Sequence, residues 1–231
     1  MGVSPEASQE ESNPESTTAA RMTAADVGHR LRDAIVTGKL VPNQRLVEAD
    51  LANEYGASRG NVRIALTELS SEGLIERVAH RGARVRAVSP AEAVEITEVR
   101  GALESLCARK AAERVSEAEI GQLREIGRRM SRAVELNDRE AYSSGNKELH
   151  ALIIEISGQQ VAADTIQRLR GQAVRYQYRL AQKPGRPAES LPQHLAIIEG
   201  ICTRDANGAA DAMQAHLSNV AVEIKSTEDS A

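Results

Sequence analysis

Three histidines in the C-terminal half of the chain lie in three separate apolar segments. His150 begins the run HALII, His194 begins HLAII, and His216 lies within MQAHL. Neutral imidazoles on converging helices are good ligands for Zn²⁺ and similar divalent ions. Asn146 precedes His150 by four residues and therefore shares its helical face. The spacing leaves two hypotheses open, a metal site or three hydrogen-bonded histidines in an apolar core.

A metal-dependent hydrolase is the enzymatic hypothesis for these histidines. Hydrolytic zinc chemistry needs a base beside the metal-bound water, as in the HExxH motif. Glu148 and Glu155 are the acids nearest to His150 in its segment, and both leave its helical face. No nucleophile and base pair accompanies them. The sequence therefore predicts that the protein is not an enzyme.

Two more polar groups belong to the same part of the chain. Arg100 and Glu104 are four residues apart on a predicted helix and can form an ion pair. Spacing alone is equally well explained by a surface ion pair without a binding role. Tyr142 lies one helical turn before Asn146, on the segment that carries His150.

A second group of candidate residues is at the start of a predicted helix near residue 59. Ser58 is a good N-cap, and the N-terminus of a helix attracts phosphate through its free N–H groups and its dipole. Arg59 and Arg63 are one turn apart, and each can bind a phosphate or guanine O6 and N7. Asn61 can pair with adenine where it reaches a base edge. This pattern predicts contact with DNA.

Two neighbouring segments add to this interface. Two β-prone runs after Gly73 surround a turn, which predicts a hairpin with His80, Arg81 and Gly82 at its tip. Arginine on a narrow tip suits contact with the minor groove or the DNA backbone. Arg32 lies on the outer side of an earlier predicted helix and is a candidate phosphate contact.

These residues require a helix-turn-helix and a hairpin to position them. Gly56 can adopt the positive φ that ends a first short helix, and Ser58 then caps a second helix. Val62 and Leu66 recur there at helical spacing and predict its buried face. A helix, a tight turn, a helix and a hairpin make a winged helix-turn-helix, which places its second helix in a major groove. The alternative is an ordinary helical hairpin with a solvated arginine face.

Charge is distributed unevenly along the chain. Residues 21–88 carry 11 basic and 8 acidic residues, whereas residues 89–231 carry 18 basic and 21 acidic ones. The segment with the DNA-binding pattern is therefore the positive one, as phosphate attraction requires. No apolar run approaches the roughly 18 residues of a membrane span, and no signal-peptide core is present. Cys107 and Cys202 form no CxxC pattern. We expect a cytoplasmic protein with reduced thiols.

Capping signals mark several helix ends. Thr23 with Asp26 predicts a capping box that opens a first helix, and Gly38 predicts its end. Ser116 predicts the start of a later helix, and a further helix is expected over about residues 161–182.

The same kind of signal divides the chain into domains. Residues 1–20 are rich in Ser, Glu and Pro, which predicts a disordered tail. Residues 21–88 form the predicted winged helix-turn-helix domain. Ser89 followed by Pro90 and then Glu92 predicts the start of a new helix and the domain boundary. Residues 89–226 then predict an all-α bundle of about six helices, so the fold class is mainly α.

The segment from residue 30 to 89, RLRDAIVTGKLVPNQRLVEADLANEYGASRGNVRIALTELSSEGLIERVAHRGARVRAVS, resembles the N-terminal module of the GntR superfamily of bacterial transcription regulators. By this resemblance Arg59 and Arg63 are the two recognition-helix arginines. The sequence departs from the family pattern at three sites that we expect on or beside the reading face: Asn43-Gln44, Gly60-Asn61 and Ile64. The family's usual operator is therefore not assumed.

The segments EVRGALESLCARKAAERVSEAEI, NKELHALIIEISGQ and LPQHLAIIEGICTRDANGAADAMQAHL resemble the FCD domain of the FadR branch. The resemblance implies effector binding, dimerisation and a metal held by Asn146, His150, His194 and His216. Asn146 stands where an acid is common, so the site would carry more positive charge. The resemblance also places Arg100 towards the effector pocket, and Tyr142 is a candidate for its wall.

The sequence thus predicts a ligand-responsive transcription regulator, more specifically a repressor. As a homodimer it would bind a pseudo-palindromic operator in double-stranded DNA, and it would respond to a small carboxylate effector. The expected cofactor is Zn²⁺, with Ni²⁺ or Mn²⁺ as alternatives. The competing hypothesis is a DNA-binding regulator whose helical domain only dimerises and binds no metal.

Overall fold

The computed structural model describes residues 21–78 and 82–226. The tail expected at residues 1–20 and two of the expected wing-tip residues, His80 and Arg81, lie outside these ranges. The described residues form ten helices and three short strands. The mainly helical fold with an N-terminal winged helix-turn-helix is therefore confirmed. In the same ranges, no helix is both long and apolar enough to cross a membrane.

The winged helix-turn-helix consists of the first six elements. They are α1 (Ala24–Thr37), β1 (Arg45–Leu46), α2 (Glu48–Glu54), α3 (Arg59–Ser71), β2 (Ile75–Val78) and β3 (Gly82–Val85). The antiparallel sheet has the order β1-β3-β2, with Ile75 opposite Val85. Strands β2 and β3 are the predicted hairpin. Strand β1 was not predicted, because two residues show no period of their own and are defined by pairing with β3.

Local capping explains where these helices begin and end. Thr23 accepts a hydrogen bond from the backbone N–H of Asp26, whose carboxylate in turn accepts from the backbone N–H of Thr23. Gly38 ends α1 with a φ of 85°, a conformation that glycine adopts without steric cost. The Ser58 side chain caps α3 at the N–H of Asn61, 3.0 Å away. Each of these three caps follows the sequence prediction.

Seven helices form the C-terminal part. They are α4 (Pro90–Arg114), α5 (Glu117–Glu135), α6 (Arg139–Ser157), α7 (Gln160–Gln172), α8 (Val174–Gln182), α9 (Arg186–Cys202) and α10 (Ala206–Ser226). Helix α4 is central and packs against α6, α7, α9 and α10. The bundle has its own aliphatic core, separate from the core of the winged helix-turn-helix.

Two helix boundaries differ from those that the sequence indicates. The single helix expected over residues 161–182 is divided at Ala173, which has non-helical backbone angles between α7 and α8. The segment 183–187 looks like a loop because of its prolines, yet α9 already begins at Arg186. Pro187 lies in the first turn of α9, where a missing N–H costs no hydrogen bond.

The end of the recognition helix packs closely against α7. Gly171 of α7 approaches the backbone of Glu72, which follows α3, so closely that a Cβ on Gly171 would lie 1.8 Å from the Glu72 carbonyl oxygen. Val174 at the start of α8 packs against the apolar core of the winged helix-turn-helix. The Tyr176 hydroxyl donates to the Val88 carbonyl at 3.0 Å. The two parts of the chain are therefore in direct contact.

Candidate metal centre and nucleic-acid interface

The three histidines of the sequence pattern meet inside the helical bundle. His150 comes from α6, His194 from α9 and His216 from α10, and all three are buried. Their ring centroids are separated by 5.7 Å, 5.5 Å and 4.3 Å. One ligand nitrogen from each ring lies within 4.8 Å of the other two. Such a cluster could hold a metal ion.

Each imidazole has a hydrogen-bond partner at Nδ1. His150 Nδ1 lies 2.7 Å from Glu104 Oε2, and His216 Nδ1 lies 2.9 Å from Gln193 Oε1. Carboxylate and amide oxygens accept hydrogen bonds, so both Nδ1 atoms carry the proton. In a neutral imidazole the Nε2 atom then has the free lone pair. Partners at the remote nitrogen orient metal-bound histidines in this way.

The third imidazole is oriented by a chain of hydroxyl groups. Ser190 Oγ donates to the Arg186 carbonyl at 2.9 Å, so its oxygen can accept from the Tyr142 hydroxyl at 2.7 Å. Because the Tyr142 hydroxyl donates its proton to Ser190, its oxygen accepts a hydrogen bond from His194 Nδ1 at 3.0 Å. The Tyr142 side chain thus lies at the site, as the sequence indicates, but its hydroxyl is occupied by Ser190 and His194.

Two buried polar atoms at the centre have no hydrogen-bond partner among the described residues. They are His194 Nε2 and the side-chain oxygen of Asn146. An unpartnered buried polar atom costs free energy unless something binds it. A nitrogen and an oxygen lone pair beside two further imidazoles are a donor set that suits a divalent metal ion. The residues therefore fit the metal that the sequence predicts.

The environment keeps the three imidazoles neutral. Burial lowers the pKa of His194 to about 3. Burial and the neighbouring His194 and His150 hold the pKa of His216 well below its ordinary value. Burial also lowers the pKa of His150, although Glu104 acts in the opposite direction. Neutral imidazoles have the lone pairs that a metal needs.

Glu104 is the hub of a charge network behind the histidines. Its Oε1 atom accepts from Arg100 Nε at 3.0 Å and from Arg100 Nη2 at 2.8 Å, and its Oε2 accepts from Arg170 at 2.8 Å. Burial alone would raise the pKa of Glu104, but Arg100, Arg170 and His150 hold it well below its ordinary value. The Arg100–Glu104 pair is therefore buried, and its carboxylate orients His150. The alternative of a surface ion pair, which spacing alone left open, is wrong.

A cavity of about 360 Å³ adjoins the histidines. Arg100, Tyr142 and Asn146 line it together with the three imidazoles. Arg170 and Arg186, which no sequence pattern singled out, also line it. The volume is within the range of small-molecule binding sites, about 300–1,000 Å³. Arg186 lies between two prolines in a segment that resembles a loop, so its sequence context gave no signal of a binding role.

The cavity extends to the winged helix-turn-helix. Arg32, Glu72 and Leu74 form part of its wall. Arg32, which the sequence assigns to DNA contact, is paired with Glu72 through Nε at 2.9 Å and Nη2 at 2.6 Å. Its side chain is 32% exposed. Arg32 thus lies at the rim of the cavity, and its contact with DNA stays a prediction.

The outer side of α3 carries the other candidate DNA contacts. The Arg63 guanidinium is 63% exposed and pairs with Glu48 at 2.8 Å, and Arg59 is exposed one turn earlier. The Asn61 amide donates to the Met22 carbonyl at 2.8 Å, which holds it at the N-terminus of α3. Gly82 begins β3 with a φ of 86°. Arg59, Arg63 and the Ser58-capped helix end are compatible with a DNA-reading surface.

Comparison with known proteins supports both parts of this description. Residues 23–85 match the model of the family described as "Bacterial regulatory proteins, gntR family", and residues 95–219 match that of the FCD domain. The HTH-type transcriptional repressor RspR of Escherichia coli is 29% identical over 195 residues, which cover 84% of this chain and 86% of RspR.

Two further relatives are similar over much of their length. An uncharacterized HTH-type transcriptional regulator of Agrobacterium vitis, from the TAR-I ttuE-ttuC' intergenic region, is 30% identical over 146 residues, 62% of this chain and 84% of that protein. The solved structure of E. coli McbR/YncC has a TM-score of 0.74 at 21% identity, covering 89% of this chain and 98% of that one. The latter similarity supports the fold.

Proposed function

This chain belongs to the GntR family of bacterial regulatory proteins, in the branch that has an FCD domain, and on that premise we propose that it is a metal-containing repressor controlled by a small organic acid. The family is one of DNA-binding transcription regulators and not of enzymes. A relative of similar length, RspR, is named as a repressor. We propose that this protein is likewise a repressor and that it acts in the cytoplasm.

The metal assignment is carried by one observation. Three imidazoles with protonated Nδ1 atoms surround a space into which the unpartnered His194 Nε2 and Asn146 oxygen can donate. We assign His150, His194, His216 and Asn146 as ligands, with Zn²⁺ as the first choice and Ni²⁺ or Mn²⁺ as alternatives. The bound ion would supply a Lewis acid that attracts a carboxylate oxygen of the effector.

Arg100 gives the effector a second point of attachment. Glu104 accepts from Nε and Nη2 of the guanidinium, and Arg100 also lines the cavity, where we assign its Nη1 to a carboxylate of the effector. Tyr142 contributes its ring to the wall while its hydroxyl positions His194. We therefore assign Arg100 to effector binding and Tyr142 chiefly to the support of the metal site.

DNA recognition would use the outer face of α3 and the wing. We assign Arg59 and Arg63 to the cationic contacts, and Ser58 and Asn61 to contacts with the backbone or a base near the helix N-terminus. His80, Arg81 and Gly82 are the further residues that we assign to DNA contact. The exposed Arg63–Glu48 pair can exchange its carboxylate for a phosphate, because exposed ion pairs are weak. Two copies of the chain, paired as a homodimer, would read the two halves of a pseudo-palindromic operator.

The effector would act on DNA binding through the wall that both parts share. Arg32, Glu72 and Leu74 face the cavity from the DNA-binding side, and Glu72 directly follows the recognition helix. A ligand that alters this wall changes the position of α3 relative to the bundle. A coupling free energy of about 1–3 kcal/mol, typical of allosteric proteins, would follow from such a shift.

Metal content per chain, measured by mass spectrometry on protein purified without chelator, tests the metal-containing site. We expect about one equivalent in the parent and a clear loss in His194→Ala. His29→Ala is the matched control, because His29 is exposed on α1, and it should retain the metal. Absence of metal from the parent would overturn this part of the proposal. Operator fragments selected from random DNA would test repressor-type binding separately.

A further inference from the structure

Arg186 is a buried cation whose charge is only weakly compensated by the described residues. Its side chain is only 6% exposed and lines the cavity beside the histidines. Its hydrogen-bond partner is a neutral amide, Asn219 Oδ1, at 2.8 Å. In the described part of the chain, the carboxylate paired with it is that of Glu189, at 3.7 Å and 56% exposed. A long pair with a solvated partner compensates a buried charge poorly.

The other cavity arginines are better compensated. Arg100 and Arg170 both donate to the fully buried carboxylate of Glu104, and Arg32 pairs with Glu72. Arg186 differs because it faces the cavity and no buried acid among the described residues pairs with it. A buried charge that lacks a partner in the protein is commonly matched by a bound ligand of opposite sign.

The position of Arg186 relative to the histidines is fixed by hydrogen bonds. Its carbonyl accepts from Ser190, whose oxygen contacts the Tyr142 hydroxyl, which contacts His194. The charge of Arg186 contributes to the lowered pKa values of His194 and His216, after burial as the main cause, so the guanidinium is electrostatically close to both. Arg186 therefore belongs to the same site as the histidines.

The remaining charges of the cavity wall are mostly positive. Among the described residues that form the wall, Glu72 is the one acid, whereas six are basic: Arg32, Arg100, Arg139, Lys147, Arg170 and Arg186. The proposed ligand set, three neutral imidazoles and the amide of Asn146, adds no negative charge to a divalent ion. Glu72 and Glu104 already compensate Arg32, Arg100 and Arg170, so a monocarboxylate bound at the metal and Arg100 would leave Arg186 without a close anionic partner.

We propose that the effector is a small dicarboxylate and that Arg186 binds its second carboxylate. This inference rests on the proposed function, in which the metal and Arg100 bind the first one. Arg186 then determines specificity between dianions and monoanions of equal size. A charge-assisted, bidentate contact of this kind in a poorly solvated site is worth about tenfold or more in affinity.

The test uses the full, metal-loaded chain and pairs of ligands that differ by one charge. The pairs are the straight-chain dicarboxylates from malonate to adipate, each with its half-amide, titrated by calorimetry. We expect at least one dicarboxylate to bind about tenfold more tightly than its half-amide. Arg186→Gln should bring this ratio close to one, while Arg186→Lys should retain part of it.

A second variant avoids removing the arginine. Asn219→Asp introduces a carboxylate of the same shape that pairs with Arg186 inside the protein, so it should weaken dicarboxylate binding and spare the half-amide. Asn207→Asp is the matched control on the same helix, since Asn207 also bonds an arginine, Arg109, but on the exposed surface outside the cavity. It should leave the ratio at the parent value.

The outcomes separate this inference from the proposed function. Equal affinity of the parent for both members of every bound pair would overturn the dicarboxylate assignment and leave a carboxylate effector standing. A preference that persists unchanged in Arg186→Gln and Asn219→Asp would overturn the role of Arg186. Failure of the metal-loaded parent to bind any of these acids would count against the carboxylate effector itself, and against this inference with it.

Discussion

Glu104 and His150 are joined by a hydrogen bond of 2.7 Å between the carboxylate Oε2 and the imidazole Nδ1. The bond links α4 to α6. Glu104 also accepts hydrogen bonds from Arg100 and Arg170. One buried carboxylate therefore both compensates two arginines and sets the proton position of a histidine that we assign to the metal site. Its loss should affect stability and metal binding together.

Glu104→Gln should destabilise the fold by about 3 kcal/mol, because the buried Arg100 and the partly exposed Arg170 lose their counter-charge. Metal affinity should fall by roughly 10- to 100-fold, as is usual when an outer partner of a metal-bound histidine is removed. Urea denaturation and competition with a zinc indicator measure the two effects. Glu98→Gln, at an exposed position on the same helix, should change neither. Unaltered metal affinity in Glu104→Gln would contradict the supporting role.

Tyr142→Phe should weaken metal binding by about tenfold without changing its stoichiometry. The variant removes the hydroxyl that accepts from His194 Nδ1 and donates to Ser190, so the imidazole loses its fixed orientation. The same indicator assay measures the change. Tyr178→Phe is the control, because Tyr178 is 38% exposed. If both variants bind metal like the parent, the hydroxyl chain does not position His194.

Gly171→Ala should destabilise the contact between the two parts of the chain. Alanine is normally favoured over glycine inside a helix by about 1 kcal/mol, but here its Cβ would meet the Glu72 carbonyl at 1.8 Å. We expect a lower melting temperature of the winged helix-turn-helix and faster proteolysis near residues 86–90. Gly121→Ala, on α5, should instead be stabilising, because no atom of the described residues lies within 4 Å of the new Cβ. An equal gain at both sites would show that the close packing is absent in solution.

Arg63→Ala should weaken binding to a selected operator by about tenfold and reduce the salt dependence of binding. Glu48→Gln should act in the opposite direction, because it releases Arg63 from its pair and removes a negative charge near the phosphates. Fluorescence anisotropy at several salt concentrations measures both. Arg128→Ala, exposed on α5 of the helical part, serves as the control. Equal affinities of all four proteins would remove Arg63 from the DNA interface.

The sequence predicted those features that are encoded locally. The capping residues Thr23, Ser58 and Ser116 each begin a helix as expected, because a cap bonds an N–H only three positions away. The hairpin of β2 and β3 was likewise predicted from two β-prone runs around a turn. Strand β1 and the division of the helix at Ala173 were missed, since both depend on packing against distant segments.

In the candidate site too, contacts between distant segments were not predicted from the sequence. The convergence of His150, His194 and His216 was indicated by family resemblance, whereas spacing alone left a core role open. The partners of their Nδ1 atoms were not predicted, because Glu104 and Tyr142 are 46 and 52 positions away from His150 and His194, respectively. Residue spacing identifies groups on one helix face. It does not identify groups that meet only when helices pack.

Residues of both the winged helix-turn-helix and the helical bundle line the cavity. Two properties that are usually treated as separable, the choice of operator and the choice of small molecule, are therefore linked. Arg32, Glu72 and Leu74 contribute to the proposed effector cavity, and they belong to the same module as α3. A hybrid made by transplanting the DNA-binding module of a relative would change the small-molecule preference as well as the operator. In evolution, the gene controlled and the metabolite sensed would then be inherited together.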